Sequence, residues 1–86
     1  MKTKALRLRH DYLSGLFVME ARGEYGYEEL GKRISFREAM HELTQAARLI
    51  SREATVNVFY HDQLIVSYQD GCRLTCIKNR FSEVIA

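Results

Sequence analysis

The chain of 86 residues contains no proline, only two cysteines and five glycines, and no large excess of either charge: 13 Lys and Arg stand against 11 Asp and Glu, a formal net charge of +2. Each shortage excludes something. A dedicated nucleic-acid binder usually concentrates a much larger positive excess on one face. No run approaches the roughly 20 consecutive apolar residues of a membrane span. The longest candidate, Leu13 to Met19, is interrupted by Ser14 and Gly15 and ends at Glu20. The basic start Met1-Lys2-Thr3-Lys4 is followed by Arg7, Arg9, His10 and Asp11 where the apolar part of a signal peptide belongs, so secretion is not expected. With no proline anywhere, only Arg and Lys blunt an edge strand against pairing with another chain.

Cys72 and Cys76 lie four positions apart. On a strand that spacing is about 13 Å, beyond the roughly 7 Å between Cα atoms that a disulfide tolerates. A lone Cys-x3-Cys pair is not a zinc spacing, and His10, His41 and His61 are scattered, so neither metal nor other cofactor is expected. Two unpaired thiols fit a reducing, cytoplasmic setting.

What is present is apolar: 47% of the residues are hydrophobic, enough for one globular domain over 1–86 with a core of modest stability. Ser35 followed by Glu38 forms a capping box that starts a helix near Phe36. Phe36, Ala39, Met40, Leu43, Ala46, Ala47 and Ile50 then recur at helical spacing, predicting an amphipathic helix of about four turns. Glu38 and Glu42 near its start and Arg48 and Arg52 near its end oppose the partial charges of the helix termini.

Three strands follow. Thr55–Tyr60 is rich in β-branched and aromatic residues, His61-Asp62-Gln63 breaks the run, and Leu64–Tyr68 resumes it. Asp70-Gly71 suits a tight hairpin turn, and Arg73–Lys78 returns as the third strand. Alternation puts Val56, Val58, Tyr60, Leu64, Val66, Tyr68, Leu74 and Cys76 on the helix side. The opposite face then carries Thr55, Asn57, Phe59, Ile65, Ser67, Arg73, Thr75 and Ile77. In the first third, Ala5–Arg9 and Leu16–Ala21 read as a hairpin turning at Ser14-Gly15, with a short helix over Tyr12–Arg22 as the competing assignment. Gly23, Gly26 and Gly31 make Arg22 to Arg33 loop-like, with room for a helical turn at Tyr27–Leu30 or a brief strand at Gly31–Ile34. The expected architecture is α+β: an antiparallel sheet of four to five strands, in the order β-β-α-β-β-β, with one long helix on one face.

Catalytic signatures are missing. His10-Asp11 and His61-Asp62 read as turn residues, because neighbours on a strand point to opposite faces and do not form a general-base pair. No serine stands in a nucleophile elbow, and the glycines follow no phosphate-loop spacing. A metal-free ribonuclease of the toxin type, built from His61, Arg73, Tyr60 and Tyr68, is the remote alternative, resting on residue types alone.

The expectation is a small intracellular, non-enzymatic protein that binds another protein, or itself as a homodimer, with no small-molecule substrate evident. Phe59, Ile65 and Ile77 on the outer sheet face, with Phe81, Val84 and Ile85, are more apolar surface than one helix can cover. Tyr25, Tyr27 and Glu28 make a second candidate contact in the glycine-rich connection. An exposed sheet face, an edge strand or a loop would carry the contact, as in inhibitors and adaptors of this size, some of them borne by phages or plasmids. The second expectation is a module for RNA or single-stranded DNA, with Phe59 stacking on a base and Arg7, Arg9 and Arg73 on phosphates.

Overall fold

The computed structural model describes residues 2–74. The chain runs β1 (Thr3–His10), β2 (Phe17–Gly23), β3 (Gly26–Arg33), α1 (Phe36–Ile50), β4 (Thr55–Tyr60), β5 (Gln63–Gln69) and β6 (Cys72–Arg73). All six strands form one sheet in the order β3-β2-β1-β4-β5-β6, with α1 packed on one face. Two three-strand meanders therefore lie side by side, and their first strands meet in the middle.

That meeting corrects the antiparallel expectation. β1 and β4 are parallel, from Thr3↔Thr55 to Leu8↔Tyr60, while every other neighbouring pair is antiparallel. A parallel pair needs a long crossover, and here the crossover is everything from β2 through α1. Sequence patterning identifies strands one at a time; it does not show that the helix returns the chain beside β1 rather than beyond β3.

The second correction is β3. The glycine-rich connection is an eight-residue edge strand instead of a loop. Its pairing slips between Met19 and Glu20, so that Glu20 faces Glu29 and Leu30 is the extra residue of a bulge. Gly31 opposes Met19, and a Cβ there would stand 3.2 Å from the Met19 Cε, so glycine leaves room for that core side chain.

The helix starts where its sequence predicts, and of the expected capping box the Ser35 half is in place. Ser35 has extended backbone angles, and its Oγ accepts from the Glu38 N–H at 3.4 Å. Ala39, Leu43 and Ala47 are its buried stripe, laid against Leu6, Leu8, Met19, Val56, Val58, Val66 and Tyr68 of the sheet. Leu43→Ala leaves a void beneath the middle turn and is expected to cost about 2–5 kcal/mol, read as a lower urea midpoint at unchanged slope. At its far end Ser51 is buried, and its Oγ donates to the Arg48 carbonyl at 2.7 Å and accepts from the Gly71 N–H at 2.8 Å. The Asp70-Gly71 turn, with both residues at positive φ as the tight hairpin requires, is thereby fastened to the helix end. With 15 residues, α1 is too short to cross a membrane, and no other helix is found among the described residues.

Candidate functional site

β1, β3 and β4 all finish at one end of the sheet, and α1 starts there. This juxtaposition gathers aromatic residues that lie far apart in the sequence. The His10 ring stacks on Phe17 with centroids 4.6 Å apart and meets Tyr12 edge-on at 5.0 Å. Phe17 meets Phe36 of the first helical turn at 5.7 Å, Phe36 meets Tyr60 at 5.2 Å, and Tyr60 meets His61 at 4.6 Å. The His10 N–H donates to Nε2 of His61 at 3.4 Å, which closes the chain of contacts on itself. Edge-to-face and offset contacts of this kind each contribute roughly 0.5–1.5 kcal/mol beyond simple burial. His61 takes a left-handed backbone, φ 53°, in the two-residue turn that links Tyr60 to its partner Gln63.

Beyond this wall stand several exposed apolar side chains. Leu13 is 99% exposed, Tyr12 and Ile34 are each 82% exposed, and Phe36 is 43% exposed. Leu13 and Tyr12 cap the β1–β2 turn, and Ile34 lies between β3 and α1. The turn is ordered from within. The Asp11 carboxylate accepts from the Leu13 N–H at 3.2 Å and from the Ser14 hydroxyl at 2.7 Å, and the Ser14 Oγ accepts from the Leu16 N–H at 3.3 Å. Main-chain bonds from Gly15 to Asp11 and from Asp11 to Leu16 close the loop, with Gly15 at φ 76°. Two large apolar side chains are thus held out into water on a braced support.

The same bracing makes the loop sensitive to acid. The Ser14 hydroxyl first, and the Leu13 N–H second, hold the Asp11 carboxyl below its ordinary range, because both donate to the charged form. A folded-state value below the unfolded one stabilises the loop fully above the unfolded aspartate range, and the contribution is lost as pH falls through the folded value. Followed by amide NMR, the Leu13 and Gly15 signals should move together on acidification, with a midpoint below that of an ordinary aspartate. A midpoint at the ordinary value would mean that these donors do not hold the carboxylate.

The outer face of the sheet, away from α1, is differently built. Arg7 stands opposite Glu20 on one side and Phe59 on the other. Arg7 Nε donates to one Glu20 oxygen at 2.9 Å and Arg9 Nε to the other at 3.2 Å, and the Arg7 guanidinium lies 3.8 Å from the centre of the Tyr27 ring. Glu20 is 7% exposed. One carboxylate therefore occupies two of the three arginines expected on phosphates. The third, Arg73, pairs with Tyr68 and so belongs to the helix side rather than to the face of Phe59, contrary to the alternation expected from sequence.

The expected protein-binding residues are dispersed. Phe59 and Ile65 are half-buried, and Ile65 packs against the core. A bulge after Val58 makes Leu64 the partner of Phe59 and leaves Ile65 as the extra residue, which shifts both from their expected faces. Tyr25 is exposed at the β2–β3 turn, Tyr27 lies under Arg7, and the Glu28 carboxylate stands beside Gly23. Ile77, Cys76 and the apolar residues at 81, 84 and 85 fall outside the described residues. His61, Tyr60 and Tyr68 do not converge with Arg73 on one point: His61 and Tyr60 lie at the aromatic end, while Tyr68 and Arg73 lie by the Asp70-Gly71 turn at the other. Among the described residues no three His, Cys, Asp or Glu side chains stand together in a way that would hold a metal ion. Tyr12, Leu13 and Ile34 are the residues that sequence reasoning passed over; apolar side chains inside turn segments were their signal.

Fold and site together define a small α+β domain with an aromatic end wall crowned by exposed apolar residues. Compared with protein-family models, curated proteins and solved structures, the chain gives no match.

Proposed function

We propose that this is a protein-binding module whose contact element is the β1–β2 loop with the adjoining Ile34 and Phe36. The observation that carries the reading is the ordered exposure of Leu13 and Tyr12 on a loop braced by Asp11 and Ser14. Because the loop backbone is already ordered by these bonds, docking costs the anchors only their own side-chain freedom, so more of their burial is available as affinity. Aromatic and aliphatic anchors of this kind carry much of the binding free energy at interfaces. The supporting wall of Phe17, Phe36 and Tyr60 gives the anchors a stiff base.

The reading is tested by comparing partners captured by the unchanged chain with those captured by Leu13→Asp and by Leu49→Asp. Leu49 is 67% exposed near the opposite end of α1 and serves as the control. A partner lost with Leu13→Asp and kept with Leu49→Asp supports the loop as the contact, and equal loss or equal retention removes it. Sedimentation of the purified chain tells whether the partner is a second copy.

A further inference from the structure

At the end of the sheet opposite the aromatic wall, β1 and β2 part company. Their pairing runs from His10↔Phe17 to Leu6↔Ala21 and stops there, while β1 continues beside β4 down to Thr3 and β2 continues beside β3 to Gly23. The strands separate around a cavity of about 590 Å³, within the usual range for small-molecule sites. Tyr27 and Phe59 contribute aromatic walls, Ile50 closes it from the helix side, and Lys4, Arg22 and Asn57 contribute polar groups.

The charge of this lining is one-sided. Lys4 and Arg22 are both exposed, and neither has an ion-pair partner among the described residues. Arg7, by contrast, is held by Glu20. Among the described residues no acidic one lines the cavity. The Glu28 carboxylate stands close by, 3.0 Å from where a Cβ at the lining residue Gly23 would lie. Two unpaired cations on aromatic and aliphatic walls match a ligand with a flat apolar body and a negative group.

We infer that the cleft between the parted ends of β1 and β2 is a binding site for a small aromatic anion, a ring system bearing a carboxylate, sulfonate or phosphate. The ring lies against Tyr27 and Phe59 on the outer face, where the anionic group meets Arg22; Lys4, in register with Val56, borders the cleft from the helix side and adds its charge at longer range. This site is separate from the β1–β2 loop and does not depend on the protein-binding reading.

The probe is 8-anilinonaphthalene-1-sulfonate, titrated into the full chain and followed by fluorescence and amide NMR, with the uncharged N-phenyl-1-naphthylamine as comparison. Saturable binding of one equivalent is expected, with shifts at Ala5, Arg22, Tyr27 and Phe59 and weaker binding of the uncharged compound. The double variant Lys4→Gln/Arg22→Gln should bind about tenfold more weakly with an unchanged melting temperature, since both side chains are exposed. Glu28→Gln, which removes the neighbouring negative charge, should bind about two- to threefold more tightly. The inference is overturned by the absence of saturable binding below about 1 mM, the concentration scale of the weakest specific sites. It is also overturned by shifts confined to Tyr12–Leu16 and Ile34–Phe36, or by an affinity unaltered in the double variant.

Discussion

Leu13→Asp should abolish partner capture, lowering affinity by about thirtyfold or more, the equivalent of about 2 kcal/mol for a well-packed anchor. The substitution replaces an apolar surface with a charge that docking would have to strip of water. Because Leu13 is 99% exposed in the free chain, the fold itself has little to lose. The melting temperature should stay within about 2 °C, as for most surface substitutions. Ser14→Ala separates the two components of the effect. It leaves both anchors in place but removes the hydroxyl that donates to Asp11 and accepts from Leu16, so the loop must be ordered on binding. A weakening of about three- to tenfold is expected for that ordering. Were Ser14→Ala to bind as tightly as the unchanged chain, the bracing would be irrelevant to function even with Leu13 as the anchor.

The largest loss of stability from a polar substitution should come from Glu20→Gln. Glu20 holds Arg7 and Arg9 from neighbouring strands with one oxygen each. An amide in its place donates as well as accepts and carries no charge, leaving two guanidiniums side by side on the outer face. Removing one member of a fully buried ion pair costs about 3–5 kcal/mol. The arginine side chains here are 24% and 38% exposed and regain some hydration, which lowers the expectation to about 2–3 kcal/mol. For a domain of this length that corresponds to a melting temperature lower by roughly 10–20 °C. Arg9→Gln should cost less than half as much, because Arg7 remains on the carboxylate. A Glu20→Gln melt unchanged within error would show that the triad contributes nothing net. The same variant bears on nucleic-acid binding. With Glu20 in place Arg7 and Arg9 are occupied, so salt-sensitive binding of single-stranded RNA should appear, if at all, only in Glu20→Gln.

The legible parts of the fold are those where one local signal suffices. The Ser35 cap, the apolar stripe from Ala39 to Ala47 and the Asp70-Gly71 turn need only a few neighbouring residues to be read, and each stands in the structure as expected. β3 was illegible because an edge strand has one neighbour and no buried stripe to alternate, and the bulge at Leu30 breaks what period remains. The faces of Leu64 and Ile65 depart from simple alternation for a related reason: a single extra residue reverses it, and nothing in Gln63–Val66 marks the place. Arg73 follows the register of a two-residue turn rather than the phase inferred by counting along its own segment. For the candidate site the sequence displays Tyr12 and Leu13 in a turn, but their company is set by topology. Only the parallel approach of β1 and β4 brings His10 to His61 and lets Phe36 bridge Phe17 and Tyr60.

That central parallel pair also governs how the chain can fold. Each contact from Thr3↔Thr55 to Leu8↔Tyr60 joins residues roughly fifty positions apart, a closure whose entropy grows only slowly with loop length but must be met before the pairing returns anything. The two meanders and the helix need only local contacts and can form early; the seam between them cannot. Refolding should therefore be limited by zipping of that seam, so that substitutions in Leu6 or Val58 slow folding while those in the outer hairpins mainly hasten unfolding.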